Sequence, residues 1–357
     1  MQLYTRLRGR LGRVPRRRAF PAALIAAAAC VVLAGCGGSS ASDGKGTLVM
    51  YSAQHPETTA AIVAAFAKQT GIKVQLKNDD EDVLTAQLEQ EGSRSPADIF
   101  FTENSNWLQQ LDDKGLLANV GSSTLARVPS RDNAANGKWL GVSGRYSVLI
   151  YNPSKISASQ LPTTAEALAD PRYKGKLELA PSETDFWPII SSMIRAHGRQ
   201  AAATWLQGLK VNAGSDDHTP DNETLVGDVN KGDADMGLIN HYYYFRIRSE
   251  MGKANFHAKL AWFAPRDPGF VEDISAAGEL KSAPHPDAAQ KFLAFLVSNA
   301  GQNVIAHSKS FEYPLVNGVA PNPELPATNT LKPNAITPAQ IGTGEDARDL
   351  LRQVGLI

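Results

Sequence analysis

The 357-residue chain has only two cysteines, Cys30 and Cys36, and both fall within its first 36 residues. A disulfide framework for the body of the protein is thereby excluded. The chain also lacks a G-x-S-x-G elbow and an H-E-x-x-H pair, which removes the usual marks of an α/β-hydrolase and of a zinc hydrolase. No acid occurs among the first 18 residues, which carry seven arginines, and these seven conceal the charge of the rest. Overall, 36 basic residues balance 36 acids; without the seven, 29 face 36, a net charge of about −7. So acidic a body is a poor match for nucleic acid, and none is expected as a partner. No internal repeat is visible, and low complexity is confined to a short Gly/Ser-rich stretch near the front.

What is present begins with an address. The arginine-rich start and the apolar run FPAALIAAAACVVLAG that follows it have the order of a secretory signal, too short for a comfortable membrane span. The end of that run, Leu33-Ala34-Gly35-Cys36, resembles the lipobox of bacterial lipoproteins, which implies a signal peptide over 1–35 and lipid on Cys36. An uncleaved N-terminal anchor is the competing reading. Lipidation also disposes of a thiol that has no partner in an oxidising compartment. Residues 36–45, CGGSSASDGK, read as a polar tether.

About 320 residues remain, enough for two lobes. GTLVMYS, IKVQLKN and ADIFFT are strand-like, and the segments between them carry apolar residues at helical spacing. Strand, helix, strand, helix, strand is the signature of parallel α/β architecture. Two strands are expected within WLGVSGRYSVLIYNP (139–153), then helices broken near Gly198, a short helix over ETLVGDVNKG, and a strand, ADMGLIN (234–240). The expected division is a first lobe over 46–150 completed by about 268–315, and a second over 151–267 completed by about 316–357. Two exported α/β lobes on one chain predict a clamshell with a ligand cleft between them.

Directly after ADMGLIN come Tyr242, Tyr243 and Tyr244. Ligands of open α/β sheets bind beyond the carboxyl ends of the strands, and three consecutive side chains cannot all face one core. Ionising a phenol at pH 7 costs about 4 kcal/mol, because its pKa is about 10. A hard, strongly charged cation recovers that cost, and tyrosinate is an established ligand of ferric iron. Zn²⁺ and Cu⁺ favour nitrogen and sulfur instead.

With these residues in view, the chain resembles the bacterial ferric-ion-binding proteins, the substrate-binding components of iron(III) ABC transporters, which have the type 2 periplasmic-binding-protein fold. LVMYSAQHPE, SPADIFFTEN, LGVSGRYSVLIYN and DNETLVGDVNKGDADMGLINHYYY carry the resemblance, in that order. It implies metal ligation by Tyr242 and Tyr243 from one lobe and by His55 and Glu103 from the other. His55 reads equally as a helix-start residue before Pro56, and Glu103 as an acid favoured at a helix N-terminus. Two phenolates, one carboxylate and a neutral imidazole balance Fe³⁺, so Tyr146, which some relatives' third tyrosine would match, is an alternative to Glu103 as an anionic ligand. Tyr244 is assigned to packing at the rim, and His241 is either a supporting donor or rim.

The resemblance also implies a synergistic anion, phosphate or carbonate, cradled by Ser143, Gly144, Arg145, Asn222 and Asn240. Arg145 reads alternatively as a salt-bridge partner. The expected function is capture without chemistry: a monomeric, lipid-anchored protein in the bacterial envelope takes up iron and presents it to an ABC permease and its ATPase. The rival on the same fold is a receptor for an organic cation or oxyanion such as a polyamine, thiamine, phosphonate or sulfate. Rivals of other classes are an exported hydrolase and a purely structural envelope lipoprotein.

Overall fold

The computed structural model describes residues 46–214 and 219–357. The signal segment, Cys36 and the tether lie outside the described residues. The described chain belongs to one compact unit, 45–357, and no helix in it is long and apolar enough to cross a membrane.

The first third alternates as its periodicity requires: β1 (Leu48–Ala53), α1 (Pro56–Thr70), β2 (Val74–Asn78), α2 (Glu81–Glu91), β3 (Ile99–Thr102), α3 (Ser105–Asp113) and the one-turn α4 (Ser122–Leu125). Pro56 opens α1, where its missing N–H costs nothing. Gly71 closes it in the left-handed region at φ 74°, its N–H donating to the Ala67 carbonyl. Ile62 and Phe66 of α1 are fully buried, and Phe66 meets Phe292 and Phe295 edge-on at 4.9 and 5.5 Å. Each such ring contributes roughly 1.5–3 kcal/mol by leaving water.

Residues 139–153, expected to hold two strands, form one, β4 (Leu140–Tyr151), with a register shift between Gly141 and Ser143. All twelve of its residues are buried. A Cβ at Gly141 would stand 2.5 Å from the Asp132 carbonyl oxygen, so the apparent break in the sequence is a close approach of backbone instead.

The chain continues through β5 (Leu177–Glu178), α5 (Trp187–His197), α6 (Arg199–Ala213), α7 (Asn222–Lys231), β6 (Met236–Asn240), α8 (His241–Met251), β7 (Lys259–Ala261) and β8 (Glu272–Glu279). It ends with α9 (Pro286–Leu296), α10 (Asn299–Ala306), β9 (Tyr313–Pro314), α11 (Pro338–Ile341) and α12 (Glu345–Val354).

The strand order is β2-β1-β3-β8-β4-β6-β5, with β7 and β9 also paired to β4. β1, β2 and β3 are parallel, whereas β8 is antiparallel to both β3 and β4. Residues 140–146 of β4 pair with β8, and residues 147–151 pair with β6 and β7. One strand is therefore common to both lobes of the α/β fold, and it delivers residues 143–147 to the junction between them.

Candidate functional site

β1 and β3 run parallel, so their carboxyl ends reach the same edge of the first lobe. His55 stands two residues beyond β1 at the N-cap of α1, and Glu103 directly follows β3. Their side chains meet in a short contact between His55 Nδ1 and Glu103 Oε1. Burial works against a charged imidazole, but the Glu103 carboxylate outweighs it and raises the His55 pKa. Burial likewise raises Glu103, and His55 with Arg145 reverses the shift and lowers it. His55 Nε2 is buried without a hydrogen-bond partner among the described residues.

Glu103 is steadied by its neighbour. Asn104 donates its backbone N–H and its side-chain amide to the two oxygens of Glu81, at 2.7 and 2.9 Å. Thr102 Oγ1 and Trp107 Nε1 donate to the same carboxylate. The turn that presents Glu103 is thus tied to the start of α2.

From the other lobe, β6 ends at Asn240 and the tyrosines open α8 at once. Tyr242 and Tyr243 are buried and their rings stack at 4.1 Å. The Arg246 guanidinium lies 5.9 and 5.4 Å from the two ring centres. Burial pushes both phenols well above the ordinary tyrosine range, and Asp185 and Glu103 push further. Tyr244 turns elsewhere and packs edge-on against Phe256 at 5.2 Å.

The two lobes meet at Tyr242. Its Oη can donate to Glu103 Oε2 or to Asp185 Oδ2, each 3.2 Å away. Asp185, in the turn before α5, is buried and pairs with Arg145 at 3.4 Å. Around these groups lies a cavity of about 820 Å³, its wall including Gln54, Glu103, Glu183, Asp185 and Tyr243. Seven carboxylates, those of Asp79, Asp80, Glu81, Asp82, Glu103, Glu183 and Asp185, face it against the guanidiniums of Arg348 and Arg352. Burial, then Asp185, raises Glu183 to about 8. At the rim Arg348 of α12 lies 5.0 Å from the Trp187 ring and 6.0 Å from that of Trp107.

The structure brings His55, Glu103, Tyr242 and Tyr243 to one place; it does not bring Tyr146. Successive residues of β4 point to opposite faces, and Tyr146 Oη donates to Glu272 at 2.7 Å among Tyr313, Phe270 and Trp262. Burial and Glu272 raise its pKa.

Of the residues expected to cradle an anion, Ser143 and Arg145 are engaged with carboxylates. Ser143 donates to Glu312 at 3.2 Å. Arg145 is fully buried and spends its guanidinium on Glu312 (3.3 Å), Asp273 (3.1 Å), Asp185 (3.4 Å) and the side-chain Oδ1 of Asn104 (2.6 Å). It is a salt-bridge hub, with Asp273 directly opposite it on β8. Asn222 is the first residue of α7, one place inside the cap; Asp221 holds the cap and accepts from Thr224 N at 2.7 Å. Gly144 lies within the sheet beside Glu272. Asn240 Nδ2 is buried without a hydrogen-bond partner among the described residues, as is Arg145 Nε, which has its ion-pair contact with Asp185.

His241 takes a structural part. Tyr146 N–H donates to its Nδ1 (3.1 Å) and its Nε2 donates to the Phe311 carbonyl (2.9 Å), which fixes one neutral tautomer. Burial lowers its pKa to about 3. Phe311, held by that bond, has a φ of 54°, strained for a bulky residue, and the bend turns the next side chain, Glu312, toward Arg145.

Sequence reasoning missed Asp185, Glu183, Glu81, Asp273 and Glu312. The only signal for Asp185 was an acid in the turn before a helix with Pro at its second position; Glu312 had none.

Residues 52–303 match the bacterial extracellular solute-binding protein family. The chain is 36% identical to the Fe(3+)-binding periplasmic protein of Serratia marcescens over 94% of this chain and 97% of that protein. It is 33% identical to the major ferric iron-binding protein of Neisseria meningitidis over 87% of this chain and 93% of the relative. Among solved structures, iron-bound HitA from Pseudomonas aeruginosa superposes with a TM-score of 0.81 at 38% identity, over 87% of this chain and 99% of that one. A Trichodesmium protein in complex with iron and citrate ligands gives 0.78 at 30% identity, over 87% and 100%. A buried phenol pair facing a His–Glu pair across a two-lobed cleft, and relatives of this kind along nearly the whole chain, lead to one placement: the protein is a bacterial extracellular solute-binding protein of the ferric-ion-binding group.

Proposed function

We propose that the protein captures ferric iron outside the cytoplasmic membrane and delivers it to an ABC permease driven by its ATPase. The observation that carries this reading is the Tyr242 hydroxyl, buried between carboxylates of the two lobes with a second phenol stacked beside it. Buried carboxylates need a counter-charge. Among the described residues Glu103, Asp185, Asp273 and Glu312 form ion pairs with Arg145 and His55 alone, four carboxyl groups to two cationic partners. Among the described residues no three His, Cys, Asp or Glu side chains are spaced to hold a metal; in this reading tyrosine oxygens complete the set, and tyrosinate is an established ligand of ferric iron.

In this reading Tyr242, Tyr243, His55 and Glu103 bind the metal, and closure of the lobes joins the two pairs. The cavity is far larger than one ion, and leaves room beside it for water or a small anion such as phosphate or carbonate. Asn240 Nδ2 is the free donor that fits such an anion. Lipid on Cys36 keeps the monomer near its permease.

The test is a visible absorption titration of the full-length protein, in detergent, with ferric citrate, beside a Tyr242→Phe/Tyr243→Phe variant. A saturable tyrosinate-to-iron band that vanishes in the variant is expected. No band in the parent protein would overturn the iron reading and favour an organic cation or oxyanion.

A further inference from the structure

We infer that Glu81 is a positioning residue for iron: its one carboxylate holds both the turn that presents Glu103 and the Trp107 indole that meets the opposite lobe, and thereby sets how fast bound iron escapes. The inference rests on the ferric reading above.

Glu81 is the first residue of α2 and lies on the cavity wall. An acid at that place ordinarily serves the helix dipole. Here its side chain also gathers four donors from β3, α3 and the turn between them. Oε1 accepts from Thr102 Oγ1 and from the Asn104 backbone N–H at 2.7 Å; Oε2 accepts from Asn104 Nδ2 and from Trp107 Nε1, each at 2.9 Å. A carboxylate offers about four lone-pair sites, and all are taken. Glu81 therefore has nothing left for a metal, although it faces the same cavity. Burial, then Glu103, pushes its pKa up to about 8, while Thr102, Arg145 and Asn104 pull it back; a proton on either oxygen would displace one of the four donors.

These bonds pin the chain on both sides of Glu103, at Thr102 and at Asn104. The Asn104 amide is fixed at both ends: Nδ2 donates to Glu81, and Oδ1 accepts from Arg145 Nη2 at 2.6 Å. Reversing that amide would set donor against donor and acceptor against acceptor, so its orientation is fixed as well.

The fourth donor reaches across the cleft. The Trp107 ring lies 5.8 Å from that of Trp187, and Arg348 of α12 sits against both. Trp107 belongs to α3 of the first lobe and Trp187 to α5 of the second, so this contact exists only while the lobes are shut. Loosening Glu81 thus frees an iron ligand and a closure contact together.

The experiment uses iron-loaded full-length protein in detergent and follows loss of the tyrosinate-to-iron band under excess EDTA. Glu81→Gln keeps the shape, but its amide NH2 would confront two of the four donors. It should release iron at least about tenfold faster than wild type. Trp107→Phe removes one donor while keeping a ring against Trp187, and about threefold faster release is expected. The double variant should release iron at the Glu81→Gln rate, not at the product of the two effects, because both changes break one unit. A Glu81→Gln protein that releases iron at the wild-type rate overturns the inference; if its iron-free form also melts lower, Glu81 supports the fold alone. Effects that multiply in the double variant overturn it too. Should Glu81→Gln fail to fold, Trp107→Phe decides, and release at the wild-type rate overturns the inference while leaving the ferric reading intact. No band in wild type overturns both.

Discussion

Tyr242 Oη lies 3.2 Å from Glu103 Oε2, although the two residues belong to different lobes and stand 139 positions apart. The phenol has one proton to give, and Asp185 Oδ2 competes for it at the same distance. One carboxylate therefore always goes without that hydrogen bond. Tyr242→Phe should change the stability of the iron-free protein by no more than about 1 kcal/mol, yet weaken iron binding at least about 100-fold, ~2.7 kcal/mol. Tyr244→Phe should alter neither. Urea melts and a chelator competition on the same samples separate the two effects.

Iron capture should release protons. Both phenols are held well above their ordinary range by burial and nearby carboxylates, so each enters the reaction protonated at neutral pH and leaves as phenolate. About two protons per iron are expected near pH 7.5, and apparent affinity should fall about 100-fold per pH unit of acidification. His55, whose pKa is raised by Glu103 against the effect of burial, adds to the release wherever it is charged. Proton uptake and release in weakly buffered solution, corrected for the chelate alone, gives the count.

Acid should also unsettle the iron-free fold through His241. Its pKa falls from about 6.5 unfolded to about 3 folded, so between those values the unfolded chain binds the extra proton. Stability from this group is complete above about pH 6.5 and is lost as pH falls toward 3, up to about 4–5 kcal/mol. Urea midpoints at pH 7, 5.5 and 4 should drop more steeply for the wild type than for His241→Asn, which is less stable at pH 7 but lacks that slope.

Arg145→Met should cost about 3–5 kcal/mol at pH 7, because Asp185, Asp273 and Glu312 lose their common cation while buried. The stranded carboxylates can then be relieved by protonation, so the deficit should shrink at pH 5. Urea unfolding at the two pH values measures both; an equal deficit at each would show that the guanidinium matters for packing alone.

The parallel β1–β3 layer was legible because its strands are short apolar runs separated by segments of helical period, closed by glycines such as Gly71. Tyr242 and Tyr243 were legible as phenols just beyond a strand end, and His55 and Glu103 through the resemblance that pairs them with such tyrosines. Harder to read was β4, where Gly141 and Gly144 look like an interruption and are instead small residues under crowding from Asp132, Leu315 and Glu272. Asp185 and Glu312 were not legible at all. Their partners lie 57 and 167 positions away, and only the folded sheet brings them to Tyr242 and Arg145. For the same reason the sequence did not show that Ser143 and Arg145 meet carboxylates of the fold, Glu312 for the first and Glu312, Asp273 and Asp185 for the second.

The C-terminal helix has a practical bearing on all of these assays. Arg348 sits against Trp107 and Trp187, and Ile357 itself lines the cavity. Any peptide fused after Ile357 therefore starts at the cleft mouth, and a polyhistidine tail there would offer imidazoles to the same iron that the tyrosines are meant to collect. Purification handles belong instead on exposed loops far from α12, or should be cut away before any metal is weighed.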